Sequence, residues 1–451
     1  MSREQQYIDL YKQHADIIKR HAAPNLNARR DEAFERFRQN GFPTAKDEAY
    51  LRCPLFGDLD TDYGLNIGQL PMPIDSESLF KCNVSGIKAH TAFMINDRLQ
   101  FDGTLPQGVV LCSLDRACHI FPDIVARYLG KKTEKSTDGF TAFNEAFAQN
   151  GYFLYVPQHT KLELPIQLVN LLHANSDLMT ATRNLIVLDE EAEVKIMVCD
   201  HTADDVRFFA SRLTETFVGK NAQLDYYTLE STHAQTAQLA QLFIDQAAGS
   251  HTTINTIGLH NGHTRNHTEI DLNAPDAETW LGGMVAADSQ QRTDNFTVIR
   301  HLAPHCTSNE LFKYILDGES EGAFAGRILV AKDAQHTAAY QTNRNICLTK
   351  NARMHAKPQL EIYADDVKCG HGATTGQLDE NALFYMRTRG ISMDEARMLL
   401  LLAFTNDILD HIAVETVRDR LRLMIEQRLR GGESKCKNCT IKQRRNSCGS
   451  N

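Results

Sequence analysis

The sequence predicts a mainly β protein centred on a stack of parallel β-coils, with helices at both ends. Three observations carry this prediction. From about Gly151 to Thr375 the chain runs in short segments rich in β-branched and aromatic residues, separated by polar turns. Within that region a corner motif recurs: an apolar strand end, a few polar residues, an alanine, one residue, then usually another apolar one. It reads LDEEAEV (188–194), VGKNAQL (218–224) and LTKNARM (348–354), with looser copies in LNAPDAETW (272–280) and VAKDAQH (330–336). A small residue at one point of successive turns is what stacked coils need, because each corner packs on the one below. The third observation is a pair of absences. The region has no amphipathic crossover helices, which opposes a helix-covered βαβ sheet, and its one clear Asn-Gly hairpin signal is at 261–262. A β-sandwich with ordinary turns is the competing arrangement.

The elements follow in chain order. Residues 4–40 read as helical, with Tyr7, Ile8, Leu10, Tyr11, Ile17 and Ile18 on one stripe and Ala33, Phe34 and Phe37 on another, ended by Gly41 and Pro43. From 50 to 150 the pattern is mixed, with proline and glycine punctuation at 71–73 and 105–108 and a helix expected near Ile120–Leu129. Beyond Gly376 the chain turns helical again. Asp379–Arg389 forms a short helix stopped by Gly390, and Ser392 with Glu395 three residues on reads as a capping box for the next. That helix carries Leu399, Leu402, Ile408, Leu409 and Ile412 on its apolar side. A third, Glu415–Arg430, carries Val417, Leu421, Met424, Ile425 and Leu429 and stops at Gly431 and Gly432. Six consecutive apolar residues from Met398 to Ala403 exceed one core-facing stripe, which predicts a second covered face, either a partner surface or tight packing on the coil. The expected organisation is an N-terminal helical and mixed region (1–150), the β core (151–376), a C-terminal helical domain (377–432) and a basic cysteine-containing tail (433–451).

Composition narrows the function classes. A chain of 451 residues, 42% hydrophobic and 23% charged, is ordinary for a soluble protein of two or three domains. A net charge of −9 opposes a nucleic-acid partner. The charged start, MSREQQYIDLYKQHADIIKRH, lacks a secretory apolar core, and the longest apolar run, Met398–Phe404, falls far short of the roughly 20 residues that span a bilayer. The expectation is a cytoplasmic protein without a membrane segment. Eleven irregularly spaced cysteines read as reduced thiols.

The stretch DDVKCGHGATTG (365–376) is the strongest chemical signal. On a strand, Cys369 and His371 project from one face, about 6.5 to 7 Å apart. Thiolate and imidazole both ligate iron, zinc and iron–sulfur clusters, and Gly370, Gly372 and Gly376 leave room for a large inorganic group or a second subunit. Two ligands cannot complete a tetrahedral site, so a satisfied core pair is the alternative. HNGHTRNH (260–267) offers His260, His263 and His267, and RHLAPHC (300–306) mixes histidines with Cys306; a polar loop is the simpler reading of each. In the tail, Cys436 and Cys439 form a CxxC pair followed by Cys448, which is half of a zinc or cluster site or a flexible tail. Phosphate-binding loops, GxSxG elbows and HExxH helices are missing, which opposes a nucleotide hydrolase or hydrolytic enzyme.

The segments FPTAKDEAY (42–50), AYQTNRN (339–345), KPQLEIYADDVKCGHGATTGQLDENALFYMRTRGI (357–391) and QRLRGGESKCKNC (427–439) resemble the SufB/SufD family of the Suf iron–sulfur cluster assembly scaffold, on its SufD branch. The resemblance implies a right-handed parallel β-helix core flanked by N- and C-terminal helical regions, and a non-enzymatic scaffold. It implies pairing with the SufB paralogue through the β-helix and with the SufC ATPase through the C-terminal helices, here Leu399, Leu401, Leu402, Phe404 and Ile408. It also implies a transient iron–sulfur cluster at the interface with His371 and Cys369 as candidate ligands, a flavin as a further candidate cofactor, and self-association when SufB is absent. Two other classes stay open: a stable zinc or iron metalloprotein using the tail cysteines, and a β-helix enzyme acting on polysaccharide, for which no ladder of paired carboxylates is visible.

Overall fold

The computed structural model describes residues 3–70 and 87–430. Four short strands come first: β1 (Gly64–Leu65), β2 (His90–Ile95), β3 (Arg98–Gln100) and β4 (Val110–Ser113). The core then winds alternately into two sheets. One holds β5 (Tyr152–Val156), β7 (Leu178–Leu188), β9 (Phe208–Val218), β11 (Thr236–Gln246), β13 (His263–Leu272), β15 (Arg292–His301), β17 (Glu321–Val330) and β19 (Arg353–Ile362). The other holds β6 (Ile166–Leu172), β8 (Glu193–Thr202), β10 (Gln223–Ser231), β12 (His251–His260), β14 (Glu278–Ala287), β16 (Thr307–Leu316), β18 (Ala338–Cys347) and β20 (Lys368–Gly376). Each strand pairs in parallel with the strand two places away in sequence, so the core is a parallel β-solenoid. Its ladders hold register from β5 and β6 to the C-terminal coil with one slip, at Glu230 and Ser231.

Two corners join the sheets, and each stacks its own ladder of mostly small residues. At the corner leading into β8, β10, β12, β14, β16 and β18, a residue with positive φ precedes the ladder position: Glu191, Asn221, Gly249, Asp276, His305 and His336. The residues that follow, Ala192, Ala222, Ser250, Ala277, Cys306 and Thr337, are all buried. Backbone N–H groups of the left-handed residues donate to the next coil, as from Asn221 to the Ala248 carbonyl at 2.9 Å. The alanine of LTKNARM, Ala352, belongs to the other corner, in line with Gly262, Gln291 and Ser320 immediately before β13, β15 and β17. Four of the five motif copies therefore come from two ladders, which explains their irregular spacing; in VAKDAQH the alanine, Ala334, is buried but stands three residues before the ladder position, Thr337. Asn261-Gly262 is such a corner, not the hairpin its dipeptide predicts: it links β12 and β13 in different sheets, and a Cβ on Gly262 would stand 2.3 Å from the Ala234 carbonyl oxygen.

At the N-terminal side, α1 (Arg3–Arg20), α2 (Pro24–Asn40) and α5 (Gly139–Phe147) share an aromatic core of Tyr7, Phe37, Phe42, Phe143 and Phe147. The helix expected near Ile120 is two short ones, α3 (Leu114–Ile120) and α4 (Pro122–Tyr128), with Pro122 opening the second. At the other end, α6 (Glu380–Thr388), α7 (Met393–Leu409) and α8 (Glu415–Leu429) follow β20. Ile408, Leu409, Ile412, Val417, Leu421 and Ile425 pack on the outer face of the β8–β14 sheet against Tyr227, Ile257 and Met284. Lys313 reaches out of that sheet to the Phe404 carbonyl at 2.7 Å and to Asp407 at 2.6 Å. Half of the expected capping box forms: Ser392 Oγ accepts from the Glu395 N–H at 3.3 Å, while the Glu395 carboxylate pairs with Arg430.

The lumen is not purely apolar. Among Ile196, Val198, Leu224, Ile254 and Leu281 sit buried carboxyl groups. Asp200 is paired with Arg212 at 2.6 Å. Glu230 accepts from Asn266 at 2.7 Å and from Asn261 at 3.3 Å, with Asp200 and Arg212 as its charged neighbours. Burial pushes the Glu230 carboxyl up to about 7, and Glu310 likewise. A carboxyl raised in the folded state holds a proton that the unfolded chain has already released, so its stabilisation is complete below the ordinary carboxylate range and lost as pH rises towards 7. The shift corresponds to about 3 kcal/mol for Glu230. The variant Glu230→Gln should therefore lose less thermal stability than wild type between about pH 5 and about pH 8, read as melting temperatures at both. An equal loss in the two proteins contradicts the assignment.

Candidate functional site

Nothing pairs beyond the C-terminal coil among the described residues. Among the described residues β20 pairs only with β18 and β19 only with β17, so each sheet ends in an unpaired edge. The in-register partners of Cys369, His371, Ala373 and Thr375 are Ala339, Gln341, Asn343 and Asn345, all four buried. Side chains on one face of a parallel ladder stack, so Cys369 and His371 do share a face, at the open mouth of the lumen. Asn345 secures the strand from below, donating to the Thr374 carbonyl at 3.0 Å and to Thr375 Oγ1 at 3.2 Å.

The two motif residues differ in environment. Cys369 is half-buried against the core, and burial pushes its thiol up, an effect its backbone hydrogen bond to Ala339 opposes. It therefore stays a neutral thiol, a weak ligand until something displaces its proton. The His371 ring is exposed. Three of the five residues on the opposite face of β20 are glycines, shared with Lys368 and Thr374. A Cβ on Gly372 or Gly376 would meet nothing within 4 Å, and one on Gly370 would meet only the Tyr340 ring, at 3.6 Å. Glycines inside the coil are different: a Cβ on Gly283 would stand 2.2 Å from the Phe312 ring. Packing within this chain does not require the β20 glycines, whose effect is to let another group come close. Tyr340 is exposed on the outer face, beside Gly370, and Leu348, Ile362 and Tyr363 are exposed at the ends of β18 and β19; Pro358, without an N–H, sits in β19, where an edge strand tolerates it.

The described residues contain no group of three or more His, Cys, Asp and Glu side chains that could hold a metal ion. The histidines of HNGHTRNH do not converge, and they are strand residues rather than a polar loop. His260 ends β12, His263 bonds Asp58 at 2.8 Å, and His267 bonds Glu269 at 2.8 Å between Phe243 and Phe296. In RHLAPHC, His301 bonds Ser308 inside the lumen, His305 stacks on His336 at the corner and Cys306 is buried in the ladder. Cys436, Cys439 and Cys448 lie outside the described residues. Of the helical residues, Leu401 packs on Ile315 and Ile346, and Ile408 lies wholly within the chain's own core. Leu402 and Phe404 are half-buried and Leu399 is 41% exposed. Phe384, at 71%, and Tyr385, at 58%, are the more exposed apolar residues of this arm, although the sequence reading did not select them. Their helix has few apolar positions, so no surplus stood out.

Comparison with known proteins agrees with this architecture. The profile of the SUF system FeS cluster assembly SufBD core domain matches residues 171–404, and that of the SufBD protein N-terminal region matches residues 1–168. The iron–sulfur cluster assembly protein SufD of Escherichia coli is 30% identical over 402 residues, covering 87% of this chain and 91% of its own. An iron–sulfur cluster assembly SufBD family protein of Synechocystis is 31% identical over 313 residues, 67% of this chain and 69% of that one. A chloroplastic protein of Arabidopsis thaliana, ABCI7, is 28% identical over 326 residues, 70% and 68% of the two chains. With a parallel β-solenoid between helical ends and both regional profiles in place, the chain belongs to the SufB/SufD family of the Suf iron–sulfur cluster assembly system.

Proposed function

We propose that the chain is a non-enzymatic, SufD-type scaffold subunit that joins a SufB-type paralogue at the open end of its solenoid and contributes His371 to a nascent iron–sulfur cluster formed at that junction. The observation that carries the reading is the unfinished coil: an edge strand, paired on one side only and glycine-rich on one face, that presents an imidazole at its mouth. A second chain can satisfy the free backbone groups of β20 and supply the missing ligands together. The cluster is cargo, and a site divided between two subunits can open to release it. Cys369 is the second candidate ligand, conditional on loss of its proton.

The same reading assigns the C-terminal arm to a SufC-type ATPase subunit. Exposed Phe384, Tyr385, Met393, Leu399 and Leu423 lie on α6, α7 and α8, a concentration of apolar surface that marks docking sites. The arm is fixed to the coil by its opposite face, so a pull on it reaches the end of the solenoid.

Two tests follow. Substituting His371 with Ala should leave the three-subunit complex intact and reduce cluster content after anaerobic reconstitution to background; full cluster content in that variant removes His371 from the site. Phe384→Asp and Leu399→Asp change exposed side chains and should preserve the melting temperature while weakening ATPase-subunit capture by about tenfold or more. Unchanged capture by both variants rejects the arm as the docking surface.

A further inference from the structure

Beneath His371 the lumen holds a polar column that cluster ligation alone does not explain. Glu310 on β16, Gln341 on β18 and His371 on β20 occupy one register position on three successive coils. Neighbouring strands lie roughly 4.8 Å apart, so side chains on one face meet those directly above and below. The column is ordered from the inside. Both carboxyl oxygens of buried Glu310 are engaged, one accepting from Thr297 Oγ1 of the facing sheet at 2.5 Å and the other from Gln341 Nε2 at 2.6 Å. Only the NH2 end of an amide donates, so with Glu310 ionised, above about pH 7, this bond fixes which way the Gln341 amide points. Gly326 on β17 leaves the space it occupies: a Cβ there would stand 2.3 Å from Gln341 Nε2. The outcome is a buried Gln341 Oε1 with no hydrogen-bond donor among the described residues. Buried amide oxygens are rarely left so. The residue stacked directly over this one is an imidazole, whose neutral ring carries one N–H.

We propose that Gln341, oriented by Glu310, is a positioning residue for His371: its side-chain carbonyl accepts the ring N–H, selecting one tautomer and leaving the lone pair of the other nitrogen for the inorganic cargo. The inference rests on the reading of His371 as a cluster ligand. Outer-shell acceptors of this kind orient a ligating imidazole and raise its basicity towards metal, and their loss typically costs 10- to 100-fold in affinity. Glu310 plays the deeper part, since without its carboxylate the amide can turn and offer its NH2 group to the ring, which would then accept with its lone pair and favour the opposite tautomer.

The test is ¹⁵N NMR of the full chain carrying labelled histidine, at a pH where imidazole is neutral, with the His371 signals identified by their loss in His371→Ala. The wild-type ring is expected in one predominant tautomer and Gln341→Met in a mixture of two. The reconstituted complex carrying Gln341→Met should hold about tenfold less cluster than wild type. A wild-type ring already mixed, or a tautomer population unchanged in Gln341→Met, overturns the proposal. Should Gln341→Met fail to fold, Gln341→Asn keeps the amide but draws its carbonyl back by one methylene, and the same mixture is expected. The two readings fail separately. Normal cluster content in His371→Ala with the expected tautomer change removes the ligand and keeps the positioning contact; lost cluster with an unmoved tautomer does the reverse.

Discussion

A parallel ladder has no way of finishing itself. Every coil offers the next a full row of backbone donors and acceptors, so a stack of coils ends in an unsatisfied row at each end unless something else covers it. In this chain the first end is closed from within. β3 folds back antiparallel on β2 and β4 runs antiparallel to β5, so both sheets terminate in reversed strands beside the N-terminal region. At the other end β19 and β20 stop without a cover among the described residues. The rest of the site follows from that asymmetry: glycines on one face of β20, exposed apolar side chains beside the last coils, and an imidazole raised on a column of buried polar side chains.

The C-terminal arm leaves this same strand. Only residues 377–379 separate β20 from α6, and α7 then returns along the outer face of the sheet. Its attachment combines a ring stack, Trp280 on His411 with centroids 3.4 Å apart, with charged contacts from Lys313 to Asp407 and from Arg428 to Asp288. The chain thus puts its proposed cargo site and its proposed motor contact on consecutive elements, so displacement of one acts on the other over a few residues of backbone. Glycines at both ends of that path, Gly376 before α6 and Gly390 with its positive φ after it, give the path places to bend.

Much of this was legible in the sequence because it is local. Corner alanines, strand composition, helix stops at Gly390 and the Cys369–His371 spacing are set by a few neighbouring residues. What escaped the sequence is set by residues far apart in it. The helix α5 carries a stripe of Phe140, Phe143 and Phe147, but it is only nine residues long and its polar side, Thr141, Asn144 and Glu145, is buried as well, so its full burial is set by distant elements. Asn261-Gly262 carries a hairpin signature, yet the dipeptide serves a corner because its flanking strands find partners on other coils. Leu401, within the apolar run that exceeds one stripe, and Ile408, a candidate contact for the ATPase subunit, are buried against the sheet and help hold α7 to it. Gln341 and Glu310 are separated from His371 by one and two full coils, and only the register reveals that the three form a column.

The central claim is that β20 is an edge completed by another chain. Hydrogen exchange of the full chain, alone and in complex with its SufB-type paralogue, tests it most directly. The account predicts that the backbone amides of β20 that do not donate to β18 exchange rapidly in the free chain and become strongly protected in the complex, while amides of β8 to β16 are protected in both. Equal exchange across β20 in the two states would contradict it, because the edge would then be either already closed or never used.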